Sequence, residues 1–208
     1  MKGTNGLCVV AVLVFFLSSC ALPPGGKQVA LPLEPLNCIA VLPAITSVNQ
    51  DDSVEYHQAK SLDSGAAFVS QILQAELAGH PKVLLVSASQ LDNLVPEVAG
   101  GLSGMISSIG EKLNCEAVLV TTVHRFEQRQ GSEYAVDAPA SAEVDLVLWH
   151  TAKKTVLWSA DFQETQESLF NNLFSYNKML SRGFKWLTVE QLIEEGVKER
   201  LGQCPYLQ

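Results

Sequence analysis

Between Ala142 and Phe162 the chain alternates twice between apolar and polar side chains. Ala142, Val144, Leu146 and Leu148 are interleaved with Glu143, Asp145, Val147 and Trp149; after the break Thr151-Ala-Lys-Lys154, Val156, Trp158, Ala160 and Phe162 alternate with Thr155, Leu157, Ser159 and Asp161. A period of two belongs to a strand with one face on a core, and two such runs around a short break make an antiparallel hairpin. Upstream the pattern is different. Cys38–Leu42, Val83–Val86 and the first half of Ala117–Phe126 are short runs without alternation, as expected of strands buried on both faces.

Helical spacing fills the intervals. Leu62, Ala66, Val69, Leu73 and Leu77 form one face of a helix over Ser61–Ala78, closed by Gly79-His80-Pro81. Ser89 is placed to cap a short helix through Leu94, with Pro96 behind it, and Gly100, Gly101 and Gly104 lead into a helix from Leu102 to Leu113. Glu167–Leu180 reads as a further helix. Thr188 with Gln191 makes a capping-box pattern, followed by an inner stripe of Val189, Leu192, Ile193, Val197 and Leu201. Glu190, Glu194, Lys198 and Glu199 lie on the opposite side. The expected fold is one α/β domain: a mixed sheet with helices, β-α-β-α-β followed by an antiparallel hairpin and C-terminal helices.

The amino terminus reads as an address. Leu7–Leu17 carries no polar side chain, but a helix needs about 20 apolar residues to cross a bilayer, so this run fits a secretory leader. Leu17-Ser18-Ser19-Cys20 resembles the bacterial lipobox, which implies cleavage before Cys20 and acylation of its thiol. Two or more acyl chains hold a protein firmly on a bilayer, where one binds marginally. Ala21 after the cysteine resembles the outer-membrane export signal of enteric lipoproteins. Ala21–Leu36 holds Pro23, Pro24, Pro32, Pro35 and the Gly25-Gly26 pair; such a tether extends on the order of 50 Å at about 3.1 Å per residue. The expected division is a leader over 1–19, the acylated Cys20 and tether over 20–36, and the domain over 37–208.

Processing leaves Cys38, Cys115 and Cys204. Outside the cytoplasm one disulfide among three pairings is open to them, and so is a role as small buried hydrophobes. No two of them lie at zinc-ligand spacing. Lys+Arg total 14 against 22 Asp+Glu, a net charge of −8, which leaves no basic stripe for nucleic acid. The phosphate-cradling and serine-elbow patterns are missing: Gly104–Gly110 is followed by Glu111-Lys112, and Gly101-Leu-Ser-Gly104 lacks both the spacing and the preceding strand. His124 falls near the end of the third strand with no partner at ligand spacing along the chain. His57 with Asp51, Asp52 and Glu55 reads as a solvated acidic loop. No catalytic residue, cofactor or metal site is expected. Trp149 shares a strand face with Glu143 and Asp145 and is the candidate interface residue; the competing expectation is that C-terminal helices cover that face.

Three segments carry a family resemblance. Ile39-Ala-Val-Leu-Pro43 opens the domain, Glu116-Ala-Val-Leu-Val120 follows the second helical region, and the hairpin contains Val156-Leu-Trp158. Over Asn37–Phe162 they resemble the small α/β domain of outer-membrane lipoproteins of the CsgG type, with relatives in the TolB amino-terminal domain and in LpoB and PelC. Arg182-Gly-Phe-Lys-Trp-Leu187 lies outside the resemblance. It implies a periplasmic, lipid-anchored accessory protein that assists an envelope assembly or export machine through protein contacts, as a partner-binding subunit or a homo-oligomer, without catalysis. The pore-forming members use two long amphipathic insertions per subunit. Here Thr46–Lys60 and Glu127–Ser141 are polar and lack sustained alternation. The alternative expectation is a binding module for a small envelope glycan or lipid, held in the cleft at the strand ends.

Overall fold

The computed structural model describes residues 33–47, 56–94, 101–132, 136–166 and 186–208. The first strand, β1 (Ile39–Val41), is three residues buried on both faces. The next strands are β2 (Ile45–Thr46) and β3 (Val83–Leu85), followed by the long β4 (Ala117–Glu127). Both β3 and β4 lie parallel to β1, with Ile39 opposite Val83 on one side and Ala117 on the other. Past Pro43, β2 continues the line of β1 along β4, Ile45 opposite Thr122.

Parallel neighbours need long crossovers. Helix α1 (Tyr56–Leu77) carries the chain to β3; α2 (Ala88–Leu94) and α3 (Gly101–Leu113) return it past β1 to β4. The two crossovers run in opposite directions across the sheet, so a common right hand puts α1 and α3 on opposite faces. A small ladder, β5 (Gln130–Gly131) with β6 (Val136–Ala138), interrupts the way into β7 (Ser141–His150). β7 runs antiparallel to β4 and then pairs with β8 (Thr155–Thr165). The resulting order is β3-β1-β4-β7-β8, with β2 alongside β4. Helix α4 (Val189–Gly202) completes the described fold.

Strand alternation sorts the core into two layers. Ile39 and Val41 face a first layer with Leu119, Val144, Leu146, Leu148 and Phe162, covered by α1 and α4. Ala40 and Leu42 face a second, smaller layer with Val118 and Val120, covered by Ile106 and Ile109 of α3. The expected faces of α1 and α4 are the buried ones, all five positions in each. At α4 the Thr188 hydroxyl accepts from the Gln191 amide while the Gln191 side chain accepts from the Thr188 amide.

Several expectations need correction. The strand at Val83–Leu85 is half-buried rather than buried, and Leu84 is 40% exposed, because β3 is a sheet edge. Ser87, not Ser89, caps α2: its hydroxyl accepts from the Gln90 amide at 3.3 Å, and Gln90 Oε1 accepts from the Ser87 amide at 2.9 Å. Leu36, assigned above to the tether, is buried in the first core layer. In the hairpin, Leu148 pairs with Trp158 but Trp149 pairs with Val156, leaving Leu157 as an extra residue. The bulge turns Val156 to the opposite face from Trp158, against the simple alternation. The helix expected over 167–180 lies outside the described residues, as does Cys20.

Cys38 and Cys115 form a disulfide, Cα to Cα 4.6 Å, closing a 77-residue separation. It joins the entrance of β1 to the turn between α3 and β4. Cys204 is free and buried, and burial pushes its thiol pKa up.

Candidate functional site

The hairpin places Trp149 on the face opposite α4. On that face it sits between Val118 of β4 and Val156 of β8. Trp149 is half-buried and packs on the second core layer, whereas Val156 is 47% exposed. Of the C-terminal cover set out as the competing account, the described part, α4, goes elsewhere: Val189, Leu192, Ile193 and Val197 join the layer of Leu146 and Leu148. Trp149 is therefore neither a sealed core residue nor a fully exposed one. It is the inner wall of an apolar corner that Val156 opens to water.

Along the same face the residues become charged. Asp145 and Glu143 follow on β7; Ser159, Asp161 and Gln163 follow on β8 and are exposed. A bulge in β4 between Val123 and Arg125 leaves His124 without a cross-strand partner. His124 Nε2 then lies 3.0 Å from Asp145 Oδ2, and Arg125 Nη2 lies 2.9 Å from Glu143 Oε2. His124 has no partner at ligand spacing along the chain. Its partner lies 21 residues away, and the register that joins them depends on the bulge.

The sheet end where β1 begins holds a second polar cluster. Glu116 accepts from the Cys38 amide at 2.8 Å and from Asn37 Nδ2 at 3.0 Å. These bonds, that from the Asn37 side chain first, hold its carboxyl below the ordinary carboxylate value. Glu34 receives Lys153 Nζ at 2.6 Å and lies 3.4 Å from His150 Nε2, with Lys153 the main cause of its lowered pKa. Thr151, in the β7–β8 turn, donates to the Cys115 and Glu116 carbonyls at 3.1 and 3.0 Å, and Ser107 donates to the Thr151 carbonyl. Residues 33–38 are thus strapped to the hairpin turn and to the α3–β4 turn. None of these bonds is legible in the sequence.

A shallow pocket of about 260 Å³ lies between α1 and β4, lined by Gln58, Ser61, Leu62, Arg125, Phe126 and Glu127. Typical small-molecule sites occupy about 300–1,000 Å³. The Ser61 hydroxyl is committed to the Phe126 carbonyl. Among the described residues no group of three His, Cys, Asp or Glu side chains is placed to hold a metal ion, and no helix is long and apolar enough to cross a membrane.

No protein-family model and no curated protein matches the chain. Among solved structures, it is similar to PelC from Paraburkholderia phytofirmans, solved as a dodecamer, at 16% identity over 79% of this chain and 84% of that one, with a TM-score of 0.42. It is also similar to the C-terminal domain of LpoB from Escherichia coli, at 18% identity over 67% and 91% of the two chains and a TM-score of 0.40. A lipoprotein from Neisseria meningitidis overlaps at 12% identity over 70% and 92%, again with a TM-score of 0.40.

Proposed function

We propose that this chain is a non-catalytic accessory protein of the bacterial periplasm, held on the outer membrane through acyl chains on Cys20 and acting by protein contact. The observation that carries the reading is the open corner on the hairpin, where Trp149 and the 47% exposed Val156 form an apolar step beside charged strand ends. A large aromatic left partly in water is the kind of residue that dominates an interface when a partner covers it. The Cys38–Cys115 disulfide supports an address outside the cytoplasm, since such bonds persist in oxidising compartments. The Leu17-Ser-Ser-Cys20 motif supports the lipid anchor.

Two measurements test the two halves. Mass spectrometry of the membrane-extracted protein is expected to find an acylated amino-terminal Cys20; a retained Met1, or a Cys20→Ser variant that fractionates with the membrane as wild type does, overturns the anchor. A photo-crosslinking residue at Val156 is expected to give a defined adduct in cells, and the same probe at Asp63 on α1 is not. Equal yields at both positions overturn the contact face.

A further inference from the structure

We infer that the open hairpin face docks a cationic, partly apolar helix of another protein rather than a second copy of this chain; the inference rests on the contact role proposed above and names the chemistry of the partner. Asp145 lies directly opposite Asp161 across the β7–β8 ladder. Like charges facing each other across a strand pair are destabilising. His124 engages Asp145 and Arg125 engages Glu143 from the β4 side. Asp161, on the outer strand, has no ion pair among the described residues, and its side chain is open to water. A cation supplied from outside would remove the repulsion and pair the free carboxylate.

The apolar corner fixes the second part of the signature. Trp149 and Val156 stand four residues along β7 from the Asp145–Asp161 pair, about 13 Å at a strand's rise of about 3.3 Å per residue. A helix lying along the strands covers that distance in about eight or nine residues at 1.5 Å each. The fitting partner therefore carries an apolar side chain at one position and Arg or Lys two turns and a little further on.

Two alternatives are disfavoured by the same geometry. An extended peptide would add at the outer edge of β8, but Arg200 Nε already donates to the Asp161 carbonyl at 2.7 Å in the middle of that edge. An added charge or a plugged carbonyl is how edge strands resist pairing. A second copy docked face to face about a two-fold through the Asp145–Asp161 pair would bring these carboxylates against their own equivalents, adding to the repulsion.

The test uses the full chain extracted in detergent and a labelled synthetic helical peptide with a leucine pair at one end and two arginines eight residues on. Fluorescence anisotropy is expected to show saturable binding that weakens at least ten-fold in Asp145→Asn/Asp161→Asn and in Trp149→Ala. The control Asp63→Asn/Glu76→Gln carries the same change in net charge on α1, across the sheet from this face, and is expected to shift the affinity less than two-fold. Equal weakening in the control means bulk attraction and overturns the proposal, as does the absence of saturable binding. Equal binding of a peptide with glutamate for arginine also overturns it. Sedimentation showing a dimer that Trp149→Ala dissolves overturns the choice of occupant. None of these readouts requires acylation at Cys20 or a cellular adduct, so failure here is separable from failure of the contact role itself.

Discussion

At the scale of single residues, the packing of the helices on the sheet turns on glycines. A Cβ at Gly110 would overlap the Cβ and Cγ2 of Thr151 and touch the Cys115 carbonyl. A β-branched side chain and a backbone carbonyl cannot swing aside, so Gly110→Ala is expected to cost about 1–3 kcal/mol by overpacking. Gly202, in the last turn of α4, offers the contrast, because a Cβ there meets nothing within 4 Å. Gly202→Ala is expected to be neutral or to stabilise by up to about 1 kcal/mol, since alanine loses less backbone freedom. Thermal melts of the two variants check the pair, and equal effects would mean that the close approach at Gly110 does not constrain the fold. Trp149→Ala separates surface from core. Fully buried aromatics lose about 3–5 kcal/mol on truncation. Half-buried Trp149 is expected to lose clearly less, measured by chemical denaturation.

At the scale of elements, the structure moves the start of the domain. Leu36 is buried against the first core layer and Glu34 is bridged to Lys153, so the segment before β1 belongs to the packed chain. A chain beginning at Asn37 is expected to be less stable than one beginning at Leu33 by about 2 kcal/mol, the scale of burying one leucine. Identical denaturation midpoints would return residues 33–36 to the tether. The sequence concealed this because Pro32 precedes the segment and Pro35 lies within it, giving it the composition of a linker. Where local chemistry and burial agree, prediction worked: α4 follows from Thr188, Gln191 and five inward positions, and the hairpin follows from alternation around Thr151–Lys154. Prediction failed where the third dimension intervenes. Leu157 reads as an outward residue until the bulge at Leu148–Trp149 is known, and β3 reads as central until its place at the sheet edge is known. The His124–Asp145 contact needs the register of two strands and a bulge in one of them, and no local pattern encodes that.

At the scale of the whole molecule, three carboxylates link the ends of the fold, and all three are held below their ordinary pKa. Glu34 and Glu116 fasten residues 33–38 to the two turns at the entrance of β1. Glu190 fastens the start of α4 to Gln128 beyond β4; burial acts to raise its pKa, but its own backbone amide, Gln128 and Thr188 outweigh that. A depressed folded-state pKa means that the unfolded chain takes up protons first. The stability these groups contribute is fully present above the unfolded carboxylate value and is lost as pH falls through the folded values. The melting temperature is therefore expected to be level with respect to these groups near neutrality and to fall in the acid range below the ordinary carboxylate value. Because two of the three groups hold the same strap, the loss should be local before it is global. Amide protection factors at Ile39 and Ala40 are expected to fall on acidification before those at Val144 and Leu146, which lie in the middle of the β4–β7–β8 ladders. Glu116→Gln removes one titrating group while keeping an acceptor for the Cys38 amide, so it should flatten the acid limb of the β1 exchange profile. An acid limb as steep in that variant as in the wild type would remove Glu116 from the account. Simultaneous loss of protection across β1 and β7 would show that the strap and the sheet open as one unit.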